Sequence, residues 1–322
     1  MVTMRRFVFI LLVCGSLVVA GAGAFAQEVK SINDNAGTSG FAFLKIPVGA
    51  RSVAMGTAFT GLADDEFAMY YNPAGLATAI ERRYVLEYHN YISDMQSGLV
   101  GMVKPLNDKN VIGGYLSYLN YGTFQRTDLT GTVLDEFSGG DIVLALSYAN
   151  RPSYRFMTGG SLKLIYEKLA GYTATGVAVD IGARYIDIRE KYAFGLTLQN
   201  LGTQLSSLGG EKDKLPLTLR SGAFGKPRGI YTIFSGDVVV PFDNDLYFCL
   251  GVELQKFKPL YLRAGYNSAG KNIRASGSTD SQAGFSAGVG FDHRRLHFSY
   301  AFTPQAELGD SHRLTITGAF GR

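Results

Sequence analysis

The sequence predicts an all-β fold: a transmembrane antiparallel outer-membrane β-barrel of about fourteen strands, with a small N-terminal hatch or plug segment. Three observations predict it. The composition is apolar and glycine-rich: 46% hydrophobic, 12% aromatic and only 18% charged, with 40 glycines and no tryptophan. Soluble domains carry roughly 25% charge, yet past the N-terminal leader no apolar run approaches the ~20 residues of a membrane helix. From Arg83 onward, hydrophobicity alternates with a period of two in segment after segment. The connections between those segments sort by length on alternate sides.

The leader comes first in the chain. Arg5 and Arg6 precede an apolar run from Phe7 to Val19, and Ala24-Phe25-Ala26 makes a small-x-small site before Gln27. This is the pattern of a secretory signal peptide over residues 1–26, set aside from fold reasoning. Cys14 lies behind bulky Val13, where a lipidation site wants a small residue. Past the leader one cysteine is left, Cys249, so no internal disulfide and no CxxC metal knuckle is expected. Loss of Arg5 and Arg6 lowers the net charge from +4 to about +2. That is no basic footprint, and no nucleic-acid partner is expected.

Alternation marks half-buried strands. In LKLIYEK, Leu162, Leu164 and Tyr166 oppose Ser161, Lys163 and Glu167. In VAVDIGARY, Val177, Val179, Ile181, Ala183 and Tyr185 oppose Asp180, Gly182 and Arg184. LPLTLRSG sets Leu215, Leu217 and Leu219 against Thr218, Arg220 and Gly222. LYFCLGVEL and LHFSYAF repeat the pattern. Fourteen such segments start near Arg83, Ser97, Asn110, Gly140, Arg155, Thr173, Lys191, Lys214, Ile230, Asn244, Phe257, Ser281, Arg294 and Ser311. An even count suits a bacterial outer-membrane barrel.

Short connections are expected at 106–110, 151–154, 187–190, 226–229, 255–258 and 292–295, and long ones at Tyr121–Gly139, Leu201–Asp213, Ser268–Asp280 and Thr303–Asp310. Short periplasmic turns with longer extracellular loops are the barrel pattern; a soluble sandwich has no reason to sort its loops. The apolar set faces lipid, where a charge near the midplane costs roughly 2–4 kcal/mol. Glu167, Asp180, Arg184, Arg220, Glu253 and Arg263 are therefore placed in the lumen, with Asp292, His297 and Arg313.

Residues 27–82 do not alternate. They are small and apolar, and a lumen of fourteen strands needs filling. The domain division is thus signal peptide 1–26, hatch 27–82 and barrel 83–322. Within ADDEFAMYYNPAGLA, Asp64 is expected to cap a short helix, with Asp65 and Glu66 in its first turn. Asn72-Pro73-Ala74-Gly75 suits a type I turn, and Pro73 biases Asn72 out of helix. Phe59, Leu62, Phe67 and Met69 are the apolar hatch candidates.

GTSGFAFLKIPVGARSVAMGTAFTGLADDEFAMYYNPAGLA resembles the N-terminal signature of the PorV/PorQ family, which belongs with the wider FadL-like, TodX-type barrels. LQNLG, LPLTLRSGAF, LRAGY and SYAFTPQAELGDSHRLTI agree in order, so the resemblance spans nearly the whole chain past the leader. It implies a fourteen-stranded barrel with a hatch. It also implies one of two roles: a type IX secretion component that handles secreted cargo with partner proteins, or a passive transporter of fatty acids and other hydrophobic molecules. The partners expected are outer-membrane lipid, secretion proteins or cargo, and a hydrophobic small molecule.

Other chemistry is weaker. Three consecutive acids rarely converge on one ion, and there is no Asp-x-Asp-x-Asp-Gly loop. His89, His293, His297 and His312 form no HExxH, and no GxSxG is present. The sequence therefore predicts no enzyme, no metal and no cofactor.

Overall fold

A computed structural model describes Asn33 and residues 35–93, 95–273 and 282–320. The expected leader and Cys14 lie outside the described residues. From Arg83 the chain forms β1 (Arg83–Asn90), β2 (Gln96–Pro105), β3 (Asn110–Thr127), β4 (Val133–Asn150), β5 (Phe156–Leu169), β6 (Tyr172–Ile186) and β7 (Tyr192–Ser206). It continues through β8 (Thr218–Gly225), β9 (Thr232–Pro241), β10 (Tyr247–Leu254), β11 (Leu260–Asn267), β12 (Phe285–His293), β13 (Leu296–Pro304) and β14 (Asp310–Ala319). Each strand bonds to its sequence neighbours, and β1 also bonds to β14, so the sheet closes. The closing seam is antiparallel and runs from Arg83↔Ala319 to Asn90↔His312. Closure pairs the backbone groups that hydrocarbon cannot satisfy.

The period of two sorts the faces. Leu162 and Leu164 on β5, Phe248 and Leu250 on β10, and Leu314 on β14 are exposed on the outer surface. Lys163, Asp180, Arg184, Arg220, Glu253, Arg263 and Arg313 are buried on the inner one. An outer surface of Leu, Val, Ile, Phe and Tyr around a charged interior is that of a barrel in the outer membrane.

The connections differ from expectation. Residues 121–127 and 133–139 are not loop but the ends of β3 and β4, joined by a short turn at 128–132. β7 likewise runs on to Ser206, and β13 to Pro304. The residues of the β3 and β4 ends are exposed or half-buried, and the ladder continues through them past a register shift between Asn120 and Thr123. β8 starts at Thr218 rather than near Lys214. Pro216 has no N–H to donate, and Leu215 turns inward to be buried. Tyr121 points inward and donates its hydroxyl to Asp141 (2.5 Å).

Ahead of β1, residues 41–79 carry only short helices: α1 (Ala50–Ala54), α2 (Ala68–Tyr71) and 3₁₀ turns at Ala42–Lys45 and Pro73–Thr78. These pieces pack against the inward faces of the strands. One apolar cluster joins Phe59, Leu62, Phe67, Met69 and Tyr71 to Val85, Tyr115, Val143, Met157 and Ala193. Inward glycines allow backbone to lie on backbone. A Cβ at Gly265 on β11 would sit 1.9 Å from the nitrogen of Gly56, and one at Gly195 on β7 would sit 2.1 Å from the carbonyl oxygen of Thr60. Gly56 itself has φ +63°, the left-handed region that favours glycine.

Candidate functional site: the inner segment and its wall

The acidic stretch does not cap a helix through Asp64. α2 begins at Ala68 behind Phe67, which makes no side-chain cap. Asp65 takes the local role, its Oδ1 accepting from the Phe67 nitrogen (2.9 Å), a two-residue Asx contact. Asp64 reaches outward and accepts from Arg51 Nη1 (2.6 Å). Glu66 is buried and paired with Arg83 at the start of β1. The three acids thus diverge, as consecutive residues do, onto two different arginines. Burial pushes the Asp65 carboxyl up to about 6, with Arg51 opposing the shift and Glu66 and Asp64 adding to it.

Asn72 ends α2 in extended geometry, as the following proline requires. Its Oδ1 accepts from Ala74 (3.2 Å), and its Nδ2 donates to the carbonyls of Thr60 (3.0 Å) and Ala183 on β6 (3.1 Å). The Gly75 nitrogen closes the turn on the Asn72 carbonyl (2.9 Å). Pro73 opens the 3₁₀ turn at its first position.

Wall side chains hold the segment from several strands. Arg184 on β6 donates Nε to the Gly61 carbonyl (2.9 Å) and Nη2 to that of Leu62 (2.8 Å). Arg220 on β8 donates to the Thr57 carbonyl (2.7 Å) and to Asp237 on β9 (3.1 Å). Asp237 in turn accepts from the nitrogens of Phe59 (3.1 Å) and Thr60 (2.9 Å). Gln199 on β7 donates to the Tyr70 carbonyl (2.7 Å). Glu253 on β10 accepts from Arg51 Nε (2.8 Å) and from Arg263 Nε on β11 (2.7 Å). Buried charges persist when paired and hydrogen-bonded, and Arg184, Arg220 and Asp237 spend bonds on main-chain atoms of residues 57–62. Asp180 binds Lys163 (2.7 Å), which also reaches Asn200 (2.8 Å). Glu167 stays half-buried on β5.

Two cavities lie against residues 43–70. An apolar one between residues 43–48 and β3–β4 is lined by Phe43, Leu44, Ile46, Tyr70, Tyr115 and Leu119, and its volume is about 30 Å³, that of about one water. A polar one of about 300 Å³ opens near the strand ends that carry the short turns; Arg51, Asp65, Glu66, Glu253, Arg263 and His297 are among its lining residues. Among the described residues, no group of three or more His, Cys, Asp or Glu side chains could hold a metal ion.

Glu167, Asp180, Arg184, Arg220, Glu253 and Arg263 lie on the inner face of their strands, and Phe59, Leu62, Phe67 and Met69 are buried. Arg184 and Arg220 converge with Asn72 on residues 57–62, whereas Lys163–Asp180 and Glu167 stand apart from that set. Alternation alone does not single out Asp237, Gln199 and Glu87. Glu87 accepts from the Gly49 nitrogen (2.6 Å) and pairs with Arg313. Their inward phase was legible; their partners, far away in sequence, were not.

No family model matches the chain, and no curated protein matches it. Solved structures do. The P. putida toluene transporter TodX superposes with a TM-score of 0.59 at 12% identity, over 85% of this chain and 99% of that one. The CymD monoaromatic hydrocarbon channel gives 0.56 at 14%, over 86% and 98%. A Pseudomonas aeruginosa FadL homologue gives 0.53 at 12%, over 84% and 97%. The chain therefore has the fold of the FadL- and TodX-type outer-membrane barrels.

Proposed function

We propose that the protein is a passive transporter of small hydrophobic molecules across the outer membrane, with residues 27–82 as its hatch. One observation carries the reading: residues 41–79 pack inside the barrel through apolar side chains and are tied to the wall mainly by side-chain bonds to their own backbone. Residues 43–48, beside the apolar cavity, have fewer ties to the wall than residues 57–62. A shift of that stretch enlarges an apolar space next to β3 and β4 while Arg184, Arg220 and Asp237 keep their hold. The likeness to TodX, CymD and the FadL homologue supports transport in preference to type IX secretion, which rests on the sequence resemblance alone.

The test is uptake. Cells producing the protein in a host lacking such channels should accumulate a monoaromatic hydrocarbon or a long-chain fatty acid faster than cells without it. Phe43→Ala, which widens the apolar cavity, should raise the rate further. Equal uptake with and without a folded barrel in the membrane would sink the transport reading. Recovery of secreted cargo with the protein from its own membrane would turn it toward secretion.

A further inference from the structure

The polar cavity contains a second constellation that transport does not use. On β12 and β13, Asp292 and His297 are direct cross-strand partners. His297 Nδ1 contacts Asp292 Oδ1, and His297 Nε2 lies 3.0 Å from Ser299 Oγ, two residues along the same strand and therefore on the same face. Tyr261 on β11 donates its hydroxyl to the other Asp292 oxygen (2.5 Å). Tyr261, Asp292, His297 and Ser299 all line the cavity of about 300 Å³. We propose that Ser299, His297 and Asp292 form a nucleophile–base–acid relay that hydrolyses small polar esters.

The protonation pattern follows from the neighbours. Arg263 Nη2 lies 3.2 Å from His297 Nε2 and can only donate. That nitrogen is therefore a bare acceptor, and the ring proton sits on Nδ1 facing Asp292. This is the tautomer a general base needs. Arg263 Nη1 donates to Ser299 Oγ (2.9 Å), which places a guanidinium beside the attacking atom; charge develops on the ester's carbonyl oxygen once Oγ has attacked, and Arg263 is the cation next to that point. Its resting charge is held by Glu253 (2.7 Å). Gly290, the β12 partner of Ser299, makes this reach possible, since a Cβ there would come 2.7 Å from both terminal nitrogens of Arg263.

The chemistry balances with water as the second reactant. Ser299 Oγ bonds to the ester carbonyl carbon and passes its proton to His297 Nε2. The carbon–oxygen bond to the alcohol breaks, and the leaving alkoxide takes that proton. Water then attacks the acyl-serine, gives its proton to His297 and releases the acid, and the proton returns to Ser299. The cavity size is at the lower end of ligand sites, roughly 300–1,000 Å³, and its lining is charged, so a short-chain polar ester fits better than a lipid. Glu66 lines the same cavity; it is buried, and its Oε2 has no partner among the described residues. It can accept from a hydroxyl or ammonium group on such a substrate.

The test uses the full chain folded in detergent micelles. A fluorophosphonate probe should label it covalently, and peptide mapping should place the label on Ser299. Hydrolysis of p-nitrophenyl acetate should fall about 100-fold or more in Ser299→Ala and His297→Gln, and several-fold in Gly290→Ala, which displaces Arg263. Heat-modifiable migration on gels checks that each barrel is folded. A folded wild-type barrel that takes no label, or takes it elsewhere than Ser299, overturns the proposal without recourse to any variant. Hydrolysis undiminished in folded Ser299→Ala overturns it as well.

Discussion

Asn72 donates its side-chain amide to the carbonyl of Ala183 on β6, 3.1 Å away across 111 residues of chain. The same nitrogen donates to the Thr60 carbonyl, so a single side chain ties two passes of the inner segment to the wall. Gly182, the residue before Ala183, makes this possible: a Cβ there would come 2.2 Å from Asn72 Oδ1.

Asn72→Ala should therefore destabilise the protein by roughly 2–4 kcal/mol, because removing the amide strands buried carbonyls as well as losing bonds. The expected signs are a lower thermal midpoint and increased ion leakage through single barrels in planar bilayers. A variant as stable and as tight as the wild type would remove Asn72 from this role.

The glycine contacts make a sharper contrast. Gly265→Ala drives a methyl against the Gly56 backbone at 1.9 Å, which neither chain can relieve without moving. Gly236→Ala, on the outer phase of β9, meets a Leu250 methyl at 3.5 Å and the Cys249 carbonyl oxygen at 3.7 Å, both ordinary contacts. The first should reduce the yield of heat-modifiable folded barrel several-fold, and the second should leave it unchanged.

Asp64 and Asp65 should separate on mutation. Asp64 is partly exposed, with side-chain accessibility of 36%, and its pair with Arg51 lies at the rim. Exposed pairs contribute about 0–1 kcal/mol, so Asp64→Ala should be mild. At about pH 4, where the folded Asp65 carboxyl keeps its proton, Asp65→Ala removes the contact to the Phe67 nitrogen ahead of α2 and should cost more, by about 1–2 kcal/mol. Chemical denaturation of the two variants side by side tests the order.

The pH dependence has a defined sign. The folded Asp65 carboxyl is raised to about 6 from 3.8. Between those values the folded state holds the proton more tightly than the unfolded one, so this group's contribution to stability falls as pH rises from about 4 to 6. Above that window the penalty is constant. Asp65→Asn, which keeps the Asx contact and carries no charge, should flatten the slope in that window. At pH 7.5 it should also stabilise the protein, by at most about 3 kcal/mol for a shift of roughly two units. Stability of Asp65→Asn below wild type at pH 7.5 would show that the Arg51 pair outweighs burial.

The sequence by itself determined the barrel. A two-residue period repeated through LKLIYEK, VAVDIGARY and LYFCLGVEL can satisfy lipid on one side only if the sheet closes, and that places Lys163, Asp180, Arg184 and Glu253 inside. It also determined the turn at Asn72-Pro73, since proline acts on the residue next to it. Tertiary structure decided the rest, because the partners lie far apart along the chain. No local rule could show that Asp64, Asp65 and Glu66 would divide between Arg51 and Arg83. Nor could any show that Arg184 would reach the carbonyls of Gly61 and Leu62, or that Asp292 would face His297. Alternation states which face a side chain takes. Only the register of neighbouring strands, and the path of the inner segment across them, states what it meets there.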